Sequence, residues 1–381
     1  MVMNLQNYSS QNKRLLGIDL FKGIAAYGVV LIHGLGELPR DENALLISKF
    51  FVAFCVPYFL ATSFYFSSYL LLFKTNISYL KTRVKRILVP YLAWSLIYLL
   101  ARLAGFLIGN KESFYRLISD PVNMIFFGAS AVHLYFLPLL FCGTVVAIPI
   151  IRISRKIQNN LLILFFVLSI AIYYLVAASG NDFLLGEGIA FKQIIDISFL
   201  QISNYWMYQF IRIIFVILAW IIRCMPYIIF GIIIHKTEIQ KLFYTLSLKI
   251  KKRTITKSLI IFLIPLLIFA LFISKISFLG LFIPYLTLIY SILISNLISK
   301  YVTMTWLTMK LGYLSFGIYL YHALITAGFM PILIKLYPKI INLQLSPLIL
   351  IISSLVIFFV SLAITYIISL NKTAARILLA I

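Results

Sequence analysis

The sequence predicts an all-α polytopic membrane protein of about ten transmembrane helices, with both termini in the cytoplasm. Three observations carry this prediction. Of 381 residues, 63% are hydrophobic and only 11% charged, and windows of about 20 apolar residues, enough to cross a bilayer as a helix, recur from end to end. Those runs are continuous rather than alternating, which favours helices over barrel strands. On the spans assigned below, about 20 of the 33 Lys and Arg fall in segments on one side and about 7 on the other, the positive-inside pattern.

The elements follow in order. A short cytoplasmic tail, residues 1–13, precedes span one, Leu15 to Gly36, which ends in an acidic outer loop, Glu37 to Glu42. Span one has no small-residue cleavage site and is read as retained rather than as a signal peptide. Span two, Lys49 to Phe73, leads through the basic connection KTNISYLKTRVKR to span three, Ile87 to Ile108. The outer segment Gly109 to Ser130 holds Asp120-Pro121, a turn signal. Span four, Ala131 to Ile151, is followed by basic RISRK, then by span five, Leu161 to Ala178. The outer loop Ser179 to Tyr205 carries Asp182, Glu187 and Asp196, which read as solvated acids.

Trp206 to His235 is too long for one straight span, and Pro226 is expected to divide a leading helix bearing Arg212 and Arg223 from the membrane helix. Lys236 to Lys257 is the largest inner loop. Spans seven to ten are Ser258–Ser274, Phe278–Ser299, Leu307–Pro331 and Leu348–Leu370. No internal repeat or separate soluble domain interrupts the chain, so 1–381 reads as one membrane domain with its chemistry inside the helices or at their ends.

The formal net charge of +23 follows this topology and does not indicate nucleic acid. A basic face suits anionic lipid headgroups or an anionic cofactor. Cys55, Cys142 and Cys224 lie singly within spans and form neither a disulfide framework nor a metal spacing. The absence of a Gly-rich nucleotide loop, a metal-ligand cluster or a GxSxG elbow argues against an ATPase or a serine hydrolase.

Span one is the most informative stretch, because it carries Asp19, Lys22 and His33. An ionisable group inside a span costs about 2.5–3.5 kcal/mol on insertion scales and marks a functional site by default. Asp19 and Lys22 are three residues apart and Lys22 and His33 eleven, close to whole turns, so all three share a face. Near the outer end, His33 suits a general base towards a hydroxyl, with Glu37 one turn on to orient it. The competing reading is an interfacial histidine bonded to a carbonyl. Asp19 and Lys22 either belong to this stripe or neutralise each other near the inner interface, with Lys22 snorkelling.

Arg83 and Arg86, three apart in KTRVKRILVPYLAW, face one way if helical. Guanidinium forks suit phosphates, and ordinary positive-inside charge is the alternative. In span nine, Gly312, Ser315, Tyr319 and His322 follow 3-4-3 spacing and line one face, as a polar passage or as a packing seam. His133 opens span four, either in that passage or in an interfacial belt. Arg212 and Arg223, eleven apart, share a face.

Taken in order, these segments resemble the acyltransferase 3 family of integral membrane acyltransferases. That family's first span typically reads R…DxLRGIAxxxVVxxH, matched here by Arg14, Asp19, Gly23, Ile24, Ala25 and His33. Its arginine-x10-histidine pair becomes Lys22-x10-His33, which keeps the charge and loses the fork. Its inner RxxR followed by a PY turn is matched by Arg83, Arg86, Pro90 and Tyr91. HLYFLPLL resembles its WFL-type fourth span, with Tyr135 in place of Trp, and FGIYLYH its SIYLxH helix. The resemblance covers nearly the whole chain.

It implies an O-acetyltransferase that moves an acyl group, usually acetyl from acetyl-CoA, to a sugar hydroxyl on an envelope glycan or its lipid-linked precursor. The setting it implies is multi-pass in a bacterial cytoplasmic membrane, with no metal. On this reading Arg83 and Arg86, with Lys22, hold CoA phosphates, and Lys22 otherwise stabilises an oxyanion. His33, with Asp19 and Lys22 on its face, serves catalysis as base or acyl carrier. Tyr319, His322 and His133 line the substrate passage. The partners are membrane lipid, acyl-CoA and a carbohydrate acceptor. A transporter or flippase of lipid-linked saccharides, using the same polar path, is the alternative function.

Overall fold

Helices form because apolar side chains meet lipid while every backbone amide is satisfied within its own segment. The structure, a computed structural model, describes residues 14–35, 42–109, 111–178, 204–236, 280–336 and 346–381, and among these it holds no strand. Among the described residues, eight helices are long and apolar enough to cross a membrane, and a shorter apolar helix joins them. The chain is an all-α polytopic membrane protein. Span seven, the inner loop of residues 237–257 and the acids Glu37, Asp182, Glu187 and Asp196 lie outside the described residues.

In chain order the helices are α1 (Leu16–Leu35), α2 (Glu42–Phe73), α3 (Asn76–Arg83), α4 (Val89–Leu107), α5 (Lys111–Ile118), α6 (Pro121–Phe126), α7 (Phe136–Ser154), α8 (Asn159–Ala178), α9 (Tyr205–Lys236), α10 (Ile283–Ile298), α11 (Val302–Leu336) and α12 (Ser346–Ser369). The helix expected to carry chemistry is the central one. α1 packs against α2, α10, α11 and α12, and Ala25, Ala26 and Val30 are fully buried. The lipid-facing side is legible on α4. Leu92, Leu96, Leu100, Leu103 and Leu107 recur at helical spacing and are exposed, while Tyr91, Trp94 and Tyr98 turn inward.

Two local expectations change in the folded chain. The leading-helix reading of the sixth span is corrected: Tyr205–Lys236 is one continuous helix with Pro226 inside it. Proline there forfeits one backbone bond, but α9 is clamped by α2, α7 and α8, and Pro226 itself is buried. The second concerns the basic connection after span two, which is helical from Asn76 onward and winds as a π-helix over Val84–Leu88. Pro90 has no N–H for the Arg86 carbonyl, and the turn before it widens. Arg83 and Arg86 therefore part company: Arg83 is half-buried and Arg86 exposed.

Close approach at the start of α1 depends on Gly17. Its N–H, one of the unpaired donors of a helix start, donates to Ser295 Oγ at 3.0 Å. A Cβ there would run into the Ser291 carbonyl oxygen and lie 2.9 Å from its carbon, both backbone. Gly17→Ala is expected to force α1 from α10 and destabilise the protein by about 3 kcal/mol, the upper range for overpacking. Gly105→Ala, whose Cβ meets nothing within 4 Å, leaves stability unchanged or raises it. Thermal unfolding of the two variants in detergent checks the contrast.

Candidate active site

Three of the chain's four histidines converge at one end of α1. His33 comes from α1, His322 from α11, and His133 from a 3-10 turn, Val132–Tyr135, that leads into α7. Ring centroids are 5.0 Å apart for His33 and His322, 4.7 Å for His133 and His322, and 6.0 Å for His33 and His133. His133 and His322 are buried and His33 is half-buried. Gly128, at φ +79°, lets the chain before the turn curl inward; a Cβ there would lie 2.7 Å from the Tyr135 nitrogen. Arg102 Nε donates to the Ser130 carbonyl at 2.9 Å and pins the curl.

Two tyrosines brace the cluster. Tyr319 donates its hydroxyl to the His133 carbonyl, and Tyr98 donates to the Leu320 carbonyl at 2.7 Å. Both rings stand edge-on to His133 at 5.3 Å. His322 Nδ1 lies 2.6 Å from the Tyr319 carbonyl oxygen. His322 Nε2 and both His133 nitrogens are buried with no hydrogen-bond partner, a concentration of unsatisfied atoms that native interiors avoid. Among the described residues, no set of three His, Cys, Asp or Glu side chains is placed to hold a metal ion.

The other end of the stripe is basic. Asp19 and Lys22 do not neutralise each other as a closed pair: Asp19 forms an ion pair with Arg14, and Arg14 also donates to the Met309 carbonyl at 3.1 Å. Asp19 packs directly on Gly312, where any Cβ would overlap its carboxyl group. Lys22 Nζ stands 5.2 Å over the Phe66 ring, within the electrostatic reach of Asp19, Arg14, Arg83 and Arg86. Arg83 donates to Tyr79 Oη at 3.1 Å and to Ser67 Oγ at 2.9 Å. Tyr79 itself donates to Ser67 Oγ at 2.6 Å, so the guanidinium is held rather than free-swinging.

α1 and α11 run parallel, with Asp19 against Gly312 at the basic end and His33 against His322 at the far end. Along α1, Asp19 is about 21 Å and Lys22 about 16 Å from His33, at 1.5 Å per residue. The structure thus unites His33, His133, His322 and Tyr319, and separately gathers Asp19, Lys22, Arg83 and Arg86. It does not bring Asp19 or Lys22 to the imidazoles. Arg212 and Arg223 are both buried, as a shared inward face requires. Arg212 binds Asp120 through two bonds of 3.0 and 2.8 Å, and Arg223 lies 5.9 Å from the Tyr135 ring.

Sequence reasoning missed the Arg14–Asp19 pair, because Arg14 precedes the helix and follows no helical spacing. It also missed Tyr98, which is one of three inward aromatics on α4 and has no polar neighbour in sequence. A model of an acyltransferase domain, that of the acyltransferase 3 family, matches residues 15–370. None of the curated proteins and none of the solved structures matches the chain. The matched stretch holds every residue of both clusters except Arg14, and it is nearly the whole chain: this protein belongs to the acyltransferase 3 family and is a membrane acyltransferase.

Proposed function

We propose that the protein transfers an acetyl group from acetyl-CoA, taken up at the basic end, to a hydroxyl of a sugar on an envelope glycan or its lipid-linked precursor. The observation that carries this reading is one helix with a cationic cluster at one end and a half-buried imidazole, His33, among two others at the far end. Arg83, preset by Tyr79 and Ser67, and exposed Arg86 suit the CoA phosphates. Lys22 and the Arg14–Asp19 pair extend that field along α1. The acyl-pantetheine arm spans the intervening distance between helices.

At the far end His33 serves as base or as acyl carrier. As base it takes the hydroxyl proton while the oxygen bonds to the thioester carbon. The C–S bond then breaks, and the thiolate receives the proton, leaving CoA as thiol. On this reading the basic end faces the cytoplasm, with both termini, and the protein is a multi-pass component of a bacterial cytoplasmic membrane acting as one membrane domain.

Proteoliposomes given labelled acetyl-CoA and a crude envelope-glycan extract test the reading. Label is expected in a base-labile ester, with one CoA thiol released per label. Arg83→Ala and Arg86→Ala are each expected to raise the KM for acetyl-CoA about tenfold with a smaller change in kcat, the pattern of lost ground-state binding. Glycan flux into the vesicles without thiol release sinks the proposal in favour of a transporter.

A further inference from the structure

The tautomer of His322 is set by its surroundings. Nδ1 lies 2.6 Å from the Tyr319 carbonyl oxygen, and a carbonyl only accepts, so Nδ1 carries the proton and Nε2 of the neutral ring is a bare lone pair. Nδ1 is bonded back to its own helix one turn earlier, which turns the opposite edge of the ring away from α11. That edge is fully buried and Nε2 has no partner, a state that costs about 1–3 kcal/mol if nothing donates to it.

Among the described residues, the titratable groups around this lone pair are few. They are His33 from α1 at 5.0 Å between centroids, His133 from the 3-10 turn at 4.7 Å, and Tyr319 from α11 at 6.1 Å; Tyr98 of α4 stands behind His133. Both tyrosine hydroxyls are already committed to carbonyls. Among these described groups the remaining donors are the ring N–H groups of His33 and His133, and one lone pair cannot serve both. Two imidazoles sharing one N–H···N bond of about 2.9 Å have centroids roughly 5 Å apart, a separation that both His33 and His133 approach, so access rather than distance decides between them. His133 is sealed behind Tyr98 and Tyr319, whereas half-buried His33 is open to a substrate.

We propose that His322 is a positioning residue for His33: its Nε2 accepts the His33 N–H, leaving the other His33 nitrogen as a lone pair turned towards the acceptor hydroxyl. His322 keeps its own proton throughout. The hydroxyl proton goes to His33 as the O–C bond forms and passes to the thiolate as the C–S bond breaks, and the imidazolium in between is hydrogen-bonded to a neutral base. An aspartate does this for histidine in serine hydrolases; here, in a span, a second imidazole does it without introducing a buried charge. The catalytic step rests on the acyl-transfer reading above; the pairing requires the His33 ring to turn its N–H onto Nε2, which the structure leaves without a partner, and it is testable on the protein without substrate.

The test uses full-length protein in lipid nanodiscs with 15N-labelled histidine rings. There are four such rings, assigned by single substitutions. His235, whose Nε2 lies 2.9 Å from the Tyr65 carbonyl, is the folding reference. Wild type is expected to show His322 protonated at Nδ1 and His33 in one tautomer. In His322→Phe, which keeps the packing and loses the acceptor, His33 becomes a tautomer mixture. Transfer from labelled acetyl-CoA then falls about 100-fold in kcat at unchanged KM. His322→Gln, which retains an acceptor oxygen, restores the single tautomer and at least tenfold of the rate. The inference is overturned if His322→Phe changes the His133 signals and not those of His33, or if the Phe and Gln variants lose the same activity with His33 unchanged. If the rings behave as expected and wild type transfers no label, the pairing stands and the acyl-transfer reading falls.

Discussion

His33→Ala lowers acyl transfer about 10²–10⁴-fold, the contribution of a positioned general base, and leaves the KM for acetyl-CoA near that of wild type. The separation of the two ends of α1 dictates that split. The donor phosphates are assigned to Arg83 and Arg86, whose neighbour Lys22 lies about 16 Å along the helix from His33, so removing the imidazole takes nothing from donor binding. A packing defect is a poor rival explanation because His33 is half-buried and not part of the fully buried core. Ile24→Ala on the same helix removes an exposed side chain and is expected to retain full activity. Robust transfer by the His33 variant would end its assignment, whichever of base or carrier it is. Acid-quenching the wild type before acceptor is added separates those two roles, since only a carrier leaves label on the protein.

How much of this was legible in the sequence depends on what helical spacing encodes. Spacing fixes which face of a helix a residue occupies, so the Asp19–Lys22–His33 stripe and the Tyr319–His322 face were readable from single segments. It does not encode which helices meet. His33, His133 and His322 are separated by a hundred or more residues, and their convergence is decided by the packing of α1 against α11 and by the Gly128 curl. The local rule for Pro226 failed for the related reason that three neighbouring helices outweigh one missing hydrogen bond. The Arg14–Asp19 pair was not legible because Arg14 sits in the non-helical residues just before α1. The family resemblance, by contrast, was fully legible, because it rests on the order of short motifs rather than on contacts.

Asp120→Ala is expected to destabilise the protein by about 3 kcal/mol, and the double variant Asp120→Ala/Arg212→Leu to recover most of that loss. Asp120 looked from sequence like a turn signal, and it is one: it caps α6, accepting from the Asn123 N–H at 3.1 Å, worth about 1 kcal/mol. Its larger role is to accept two bonds from Arg212, whose side chain is 4% exposed against 30% for Asp120. Removing only the carboxylate strands a guanidinium beside Gln209, to which it also donates at 3.0 Å. Breaking a buried pair from one side costs about 3–5 kcal/mol, and the partial exposure of Asp120 puts this case at the lower end. Deleting both charges leaves no buried charge to strand, only the neutral Gln209 amide oxygen that Arg212 had served, which is why the second substitution raises stability although it removes a further native contact. Unfolding midpoints of the two variants in detergent decide the matter. A double variant less stable than Asp120→Ala would mean that Arg212 packs the α6–α9 junction through its stem, and that its charge is incidental. With the pair intact, the N-cap of α6 is tied to α9 thirteen residues before His133, so the same two bonds that hold this junction also hold the segment that leads into the turn delivering an imidazole to the site.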